Sequence, residues 1–216
     1  DHGELFGEHD LYGHEFCIYD PLVNVPLLVK HPDIEPGRDD ETTVELVDLY
    51  HTVLDAAGAE GRGVALDEAR SLLSADYREF AEEIGGVPRG EVGFVEYPQP
   101  VVELRQLEGK ASSAGIELDE QSRFYSRMGA ARTTEEKYSH CTRIPDEAYH
   151  VGRDPGETEN LAGTDEEPTH LKRALFEFVD SVEATWPDEA DGADGDVLDG
   201  MDDETKDRLQ DLGYID

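Results

Sequence analysis

The apolar positions fall into two kinds of block: short continuous or β-rich runs, and stretches with helical spacing. PLVNVPLLVKHP (21–32) is a continuous apolar run closed by His31-Pro32. It predicts a strand buried on both faces, of the type found inside a parallel sheet. DIEPGRDDE follows as a loop, with Pro36-Gly37 marking a turn. TTVELVDLYHTVLDAAG (42–58) predicts a helix: Thr42 and Glu45 make a capping box, Leu46, Tyr50, Val53 and Ala57 recur at helical spacing, and Gly58 stops it. After a Gly-rich link, LDEARSLLSADYREFAEEIGG (66–86) predicts a second helix. Strand, loop and helix in that order belong to an α/β layer architecture.

From about residue 91 the pattern changes. EVGFVEYP, RFYSRMGAART, KYSHCTR and EAYHV are short aromatic or β-branched runs separated by turn-like residues, which predicts an antiparallel sheet. DPGETENLAG is a loop, and PTHLKRALFEFVDSVEATW predicts an amphipathic helix with Leu171, Leu175, Phe178, Val179 and Val182 on one side. Residues 187–203 are acidic and Gly-rich and read as a linker; DETKDRLQDLGYI predicts a last short helix. The change near residue 90 divides the chain into 1–90, part of an α/β core, and 91–216, a smaller subdomain.

Charge narrows the range of partners. Lys+Arg 18 against Asp+Glu 53 gives a net charge of −35, which repels nucleic acid and anionic membrane surfaces. Five of the cations are Lys and thirteen are Arg. Acid spread along the whole length with little Lys is the habit of proteins from salt-loving organisms. Molar salt screens such repulsion to about 3 Å. No apolar run reaches the roughly 20 residues that a membrane-spanning helix needs. No signal peptide is visible, which favours the cytoplasm. Two cysteines make no disulfide framework, and Cys17 in its apolar stretch reads as a packed thiol.

The chain opens on DHGELFGEHDLYGHEFCIYDP. Asp1, Glu4, Glu8 and Asp10 stand among His2, His9 and His14 within fourteen residues. Imidazole and carboxylate together suit metal ligation or proton transfer, and equally a solvated polar loop. Gly3 allows a sharp turn that aims Asp1 and His2 into one place, half of a divalent-metal site. His9 reads as orienting the loop, Glu4 and Glu8 as bracing acids, Lys30 as a solvated end, and His51 and His140 as packing residues. Tyr19 and Asp20 close the loop onto the run that follows.

DHGELFGEHDLYGHEFCIYDPLVNVPLLVKHP resembles the sulfatase family, whose SDHG-type motif, GEH-x-LYGH and YD-x-L-x-x-VPL it repeats in order. VELVDLYHTVLDAAG looks like that family's D-x-x-P-T helix. ARTTEEKYSHCTRIPDEAYHVGRDPGETENLAG looks like its RT-x-x-x-KY strand pair followed by DP-x-E-x-x-NL. LQDLGYI resembles its closing LGY.

The resemblance implies an α/β fold: the C-terminal part of an alkaline-phosphatase-like core, followed by a smaller α+β subdomain with a four-stranded antiparallel sheet. It implies hydrolysis of sulfate monoesters at a metal-bound formylglycine, the substrate being a small-molecule or carbohydrate sulfate ester. Asp1 and His2 match metal ligands, although many members carry Asn where His2 stands. Ca²⁺ is the first expectation for the metal, with Mn²⁺ or Mg²⁺ as alternatives. His14 matches a position that contacts the sulfate ester and its leaving oxygen, a catalytic role.

The formylglycine motif C/S-x-P/A-x-R does not occur. Cys17 begins CIYDP, Cys141 begins CTRIP, and Ser74 begins SADYR with Asp76 in the third place. The expectation is therefore the C-terminal portion of a longer enzyme, with its nucleophile upstream and no activity of its own. Two alternatives stand beside it: a phosphate ester or phosphonate hydrolase of the same superfamily, and a non-catalytic fragment.

Overall fold

The structure is a computed structural model, and it describes residues 1–32, 34, 36–38, 42–59, 71–74, 83–98 and 100–182. In chain order its elements begin with β1 (Leu5–Phe6) and β2 (Tyr12–Gly13), an antiparallel pair. Next come α1 (Asp20–Val23) and α2 (Leu46–Ala56). A second small hairpin pairs β3 (Glu83–Ile84) with β4 (Val87–Pro88). The remainder is β5 (Gly93–Tyr97), α3 (Val101–Ser113), β6 (Met128–Arg132), β7 (Lys137–Cys141), β8 (Glu147–Tyr149) and α4 (Thr169–Ser181).

β5 to β8 form one antiparallel sheet in sequential order, as their patterning predicts. Period-two alternation gives this sheet two different faces. On one face Phe94, Ala131, Tyr138 and Ala148 pack under α4, whose Leu171, Ala174, Leu175, Phe178 and Val179 are buried. The Phe94 and Phe178 rings stack 4.1 Å apart. Each fully buried Leu or Val among them contributes about 1.5–3 kcal/mol. The other face carries Met128, Ala130 and Cys141, and against it lies Ile18 from the opening segment. Arg132 and Lys137 form a cross-strand pair on that same face.

The β3–β4 hairpin turns at Gly85 and Gly86 and packs against α4. Gly85 has φ +60, and a Cβ there would lie 2.3 Å from the Ala174 backbone nitrogen, so no other residue fits. Its N–H donates to Glu177 and its carbonyl accepts from Arg173.

Three expectations are corrected. Residues 21–32 are not a strand: Pro21 sits in the first turn of the short helix α1, and residues 24–31 have no regular structure. Pro26 has no N–H to give to a ladder, and no described strand pairs with this run. Far from being buried on both faces, Leu27, Leu28 and Val29 are exposed, Leu28 at 88%.

The helix predicted for 42–58 is present as α2, but its capping box joins Glu45 to Asp48 rather than Thr42 to Glu45. Thr43 instead donates to the Glu91 carbonyl, and the Glu45 carboxylate accepts from Phe94 N–H and Arg89, tying the helix start to β5. The face of α2 turned inward carries Asp48 and Thr52, while Leu46, Tyr50 and Val53 are exposed.

The helix predicted for 66–86 falls largely outside the described residues. Its described parts are a turn at 71–74 and the strand β3. The acidic linker and the last predicted helix lie outside the described residues as well. Conversely, α3 appears where no element was read from the sequence.

Candidate active-site loop

The opening histidine–carboxylate run folds as the β1–β2 hairpin, in the register Leu5↔Gly13 and Phe6↔Tyr12. Leu5 is its anchor, buried with Cys17, Tyr19, Leu22, Tyr149 and Val151. Continued one step outward, the register sets Glu4 opposite His14, and the alternation of a strand brings His2 to the same side as Glu4. The contacts agree: the His2 and His14 rings lie 4.7 Å apart, and His14 Nδ1 is 3.6 Å from Glu4. His14 Nε2 is 3.6 Å from Glu15, so a carboxylate flanks the ring on each side.

His9 goes elsewhere. It occupies the connecting turn at φ 54, followed by Asp10 at φ 58, a backbone region that L-residues seldom adopt. Its ring lies on that of Tyr19. Glu8, at the same turn, accepts the Phe6 N–H at 2.6 Å, and that bond holds its carboxyl below the usual range. His9 and Glu8 therefore brace the loop, as read from the sequence. Cys17 is packed, and its thiol is pushed up by burial.

At the start of the chain, Asp1 Oδ1 accepts the His2 N–H at 3.0 Å. His2 Nδ1 donates to the Gly3 carbonyl at 2.9 Å, a bond that fixes the tautomer and leaves Nε2 as the lone-pair nitrogen. A carboxylate oxygen and an oriented imidazole nitrogen fit a divalent cation. They are two donors, and among the described residues no three His, Cys, Asp or Glu converge to hold a metal. The pair has the donor chemistry of half such a site.

Tyr19 and Asp20 close this loop, and the charged groups that hold them, Arg123, Arg132, Lys137, Glu147 and Glu157, are ones the sequence pattern does not single out. Tyr19 donates its hydroxyl proton to Glu147 at 3.0 Å and accepts from Arg123 at 2.8 Å. Burial, followed by the Glu147 charge, pushes the Tyr19 phenol well above its ordinary value. Asp20 is gripped by Arg132 through two nitrogens and reached by Lys137. Burial alone would raise the Asp20 carboxyl, but the Arg132 hydrogen bonds and the Lys137 charge outweigh it and hold it low. Glu157 completes the set and moves the other way, raised because its burial outweighs the pull of Lys137. The signal available in the sequence was position: Arg132 and Lys137 belong to the RTTEEKY block and Glu157 to DPGETENL.

Residues 1–59 match the family profile described as Sulfatase. Arylsulfatase K of Xenopus laevis is 43% identical over 60 residues, 28% of this chain and 11% of that protein. Arylsulfatase K of Homo sapiens is 43% identical over 58 residues, 27% of this chain and 11% of that protein. The matched stretch thus spans about a tenth of the length of these curated relatives. Among solved structures, a 2-O GAG sulfatase superposes with a TM-score of 0.50 at 21% identity, covering 85% of this chain and 33% of that one. That likeness reaches past residue 59 and shows that the chain shares the fold of sulfatases.

Proposed function

We propose, for a chain that belongs to the sulfatase family through residues 1–59, that it forms the C-terminal portion of an enzyme hydrolysing sulfate monoesters. The observation that carries this reading is the pairing of His2 and His14, 4.7 Å apart, on a hairpin inside the family-matching stretch. The substrate class is a small-molecule or carbohydrate sulfate ester. The division into 1–90 and 91–216 belongs to the same reading: the first part supplies the site and the second holds it.

In this reading Asp1 and His2 hold one side of a divalent cation, Ca²⁺ first and Mn²⁺ or Mg²⁺ as alternatives. When bound, the cation draws charge off the sulfate oxygens, and a formylglycine outside this chain supplies the nucleophile. His2 presents Nε2 because Nδ1 is spent on the Gly3 carbonyl. His14, as a cation or hydrogen-bond donor, offsets the charge that develops on the bridging ester oxygen as the S–O bond breaks. Glu4 and Glu15 flank its ring on either side.

The test is turnover of a chromogenic aryl sulfate by the full-length protein and by these 216 residues alone. The full-length protein is expected to turn over and the chain alone to match a denatured control. A full-length protein that cleaves the corresponding phosphate ester but not the sulfate would overturn the reading in favour of the phosphate or phosphonate alternative.

A further inference from the structure

Three blocks far apart in sequence, CIYDPL, RTTEEKY and DPGETENL, meet at Asp20. Its carboxylate accepts from Arg132 Nε at 3.0 Å, Arg132 Nη2 at 2.7 Å and Lys137 Nζ at 3.3 Å. Its backbone N–H donates to Glu157 at 2.6 Å. Lys137 also donates to Glu157 at 2.7 Å and to the Ile18 carbonyl at 2.6 Å. Lys137 and Glu157 are each 1% exposed and Asp20 is 8% exposed. Glu157 is held at φ 50, outside the usual range of a side-chain-bearing residue.

Stability alone is a poor reason for such a cluster. Well-packed apolar groups of the same volume serve as well or better in a protein interior, whereas buried ion pairs are best attested as devices that fix register. What this one fixes can be followed outward. Asp20 opens α1, and the Leu22 carbonyl of α1 accepts the Gly3 N–H at 2.9 Å. A Cβ on Gly3 would lie 1.9 Å from the Pro21 carbonyl oxygen, so the two backbones touch at this point. Asp1 and His2 are the next residues out.

We propose that Asp20 is a positioning residue for the Asp1–His2 end of the loop, set from the C-terminal sheet by Arg132, Lys137 and Glu157. Its importance for catalysis rests on the sulfatase reading; the positioning itself does not. In an ester hydrolase of this kind, an error of about 1 Å in placing a reacting group can lower the rate about a hundredfold. Asp20 would prevent that error without touching the substrate.

The test is amide hydrogen exchange by NMR on the 216-residue chain, wild type against Asp20→Asn, with Phe178→Ala as a variant weakened on the opposite face of the sheet. Asp20→Asn is expected to speed exchange at Gly3 by about tenfold or more while Ala131 and Tyr138 stay protected. Phe178→Ala is expected to speed Ala131 and Tyr138 without singling out Gly3. Should Asp20→Asn fail to fold, Arg132→Lys keeps the charge, loses the two-nitrogen grip, and is read in the same way. Gly3 exchange unchanged in the folded variant overturns the proposal, as does a variant in which Gly3 and the sheet amides speed up equally. Titration of the same samples with Mn²⁺, read as broadening of His2, separately tests the metal reading. Its failure there would leave the exchange result standing.

Discussion

The His9 ring lies flat on the Tyr19 ring, with centroids 3.6 Å apart and planes 9° from parallel. Beneath it the Tyr19 hydroxyl bridges Glu147 and Arg123, which are themselves 3.1 Å apart. Tyr19→Phe keeps the stack but leaves both partners short of a hydrogen bond. It should cost about 1–3 kcal/mol. His9→Ala keeps the bridge and loses the stack, a smaller cost of about 0.5–1.5 kcal/mol. Urea unfolding of the two variants gives this order; the reverse order would mean that the ring contact, not the bridge, holds the loop.

Asp146 gives the fold an acid-side dependence. It accepts from the His140 ring at 2.8 Å, from the Tyr138 hydroxyl and from the Cys141 N–H. Burial raises its carboxyl, yet these bonds outweigh burial and hold it below the ordinary value. A depressed folded-state value adds stability above the unfolded carboxylate value of about 3.9, and that stability is lost as pH falls below it. Asp146→Asn should therefore lower Tm at pH 7 and lose less Tm than wild type between pH 5 and pH 3. Parallel Tm curves for the two proteins across that range would disprove the assignment.

Salt should stabilise the chain. A net charge of −35 repels itself, and a shorter screening length relieves that repulsion. Tm is expected to rise between dilute buffer and molar KCl. A fall or no change would count against the salt-adapted reading of the composition.

In the full-length protein, Asp1→Ala and His14→Ala should fail differently. Loss of an anionic ligand lowers metal content and activity together. Loss of a donor that acts as the leaving group gains charge spares the metal and lowers kcat by roughly 10²–10³. Elemental analysis beside kcat separates them. Near-full kcat in His14→Ala would end its catalytic assignment.

What the sequence made legible was local pattern. The four sheet strands declared themselves as short β-rich runs between turn residues, and α4 as a spaced row of which Leu171, Leu175, Phe178 and Val179 are buried, while Val182, read into the same row, caps the helix and is exposed. The apolar run 21–32 misled because continuity alone does not say strand; a strand also needs a neighbour, and three prolines bias the backbone elsewhere. α3 went unread because only Leu104 and Ala111 of its thirteen residues are buried, so it has little apolar stripe to notice. In the site, the histidines were visible as a cluster, but which two would meet was decided by a hairpin register. The Asp20–Lys137 contact spans 117 residues, and an ion pair at that separation leaves no periodic mark in a sequence.

The exposed run Leu27–Val29 sets the salt response against itself. Three neighbouring apolar side chains, with no described strand beside them, are adhesive surface. In dilute buffer the negative charge that strains each molecule also keeps molecules apart. Molar salt removes both effects at once: each copy is firmer, and copies can approach. Solubility of the isolated chain should therefore pass through an optimum as salt rises, with light scattering growing at the concentrations where Tm is highest. A polar substitution at Leu28, at 88% exposure, should move that onset to higher salt while leaving Tm alone.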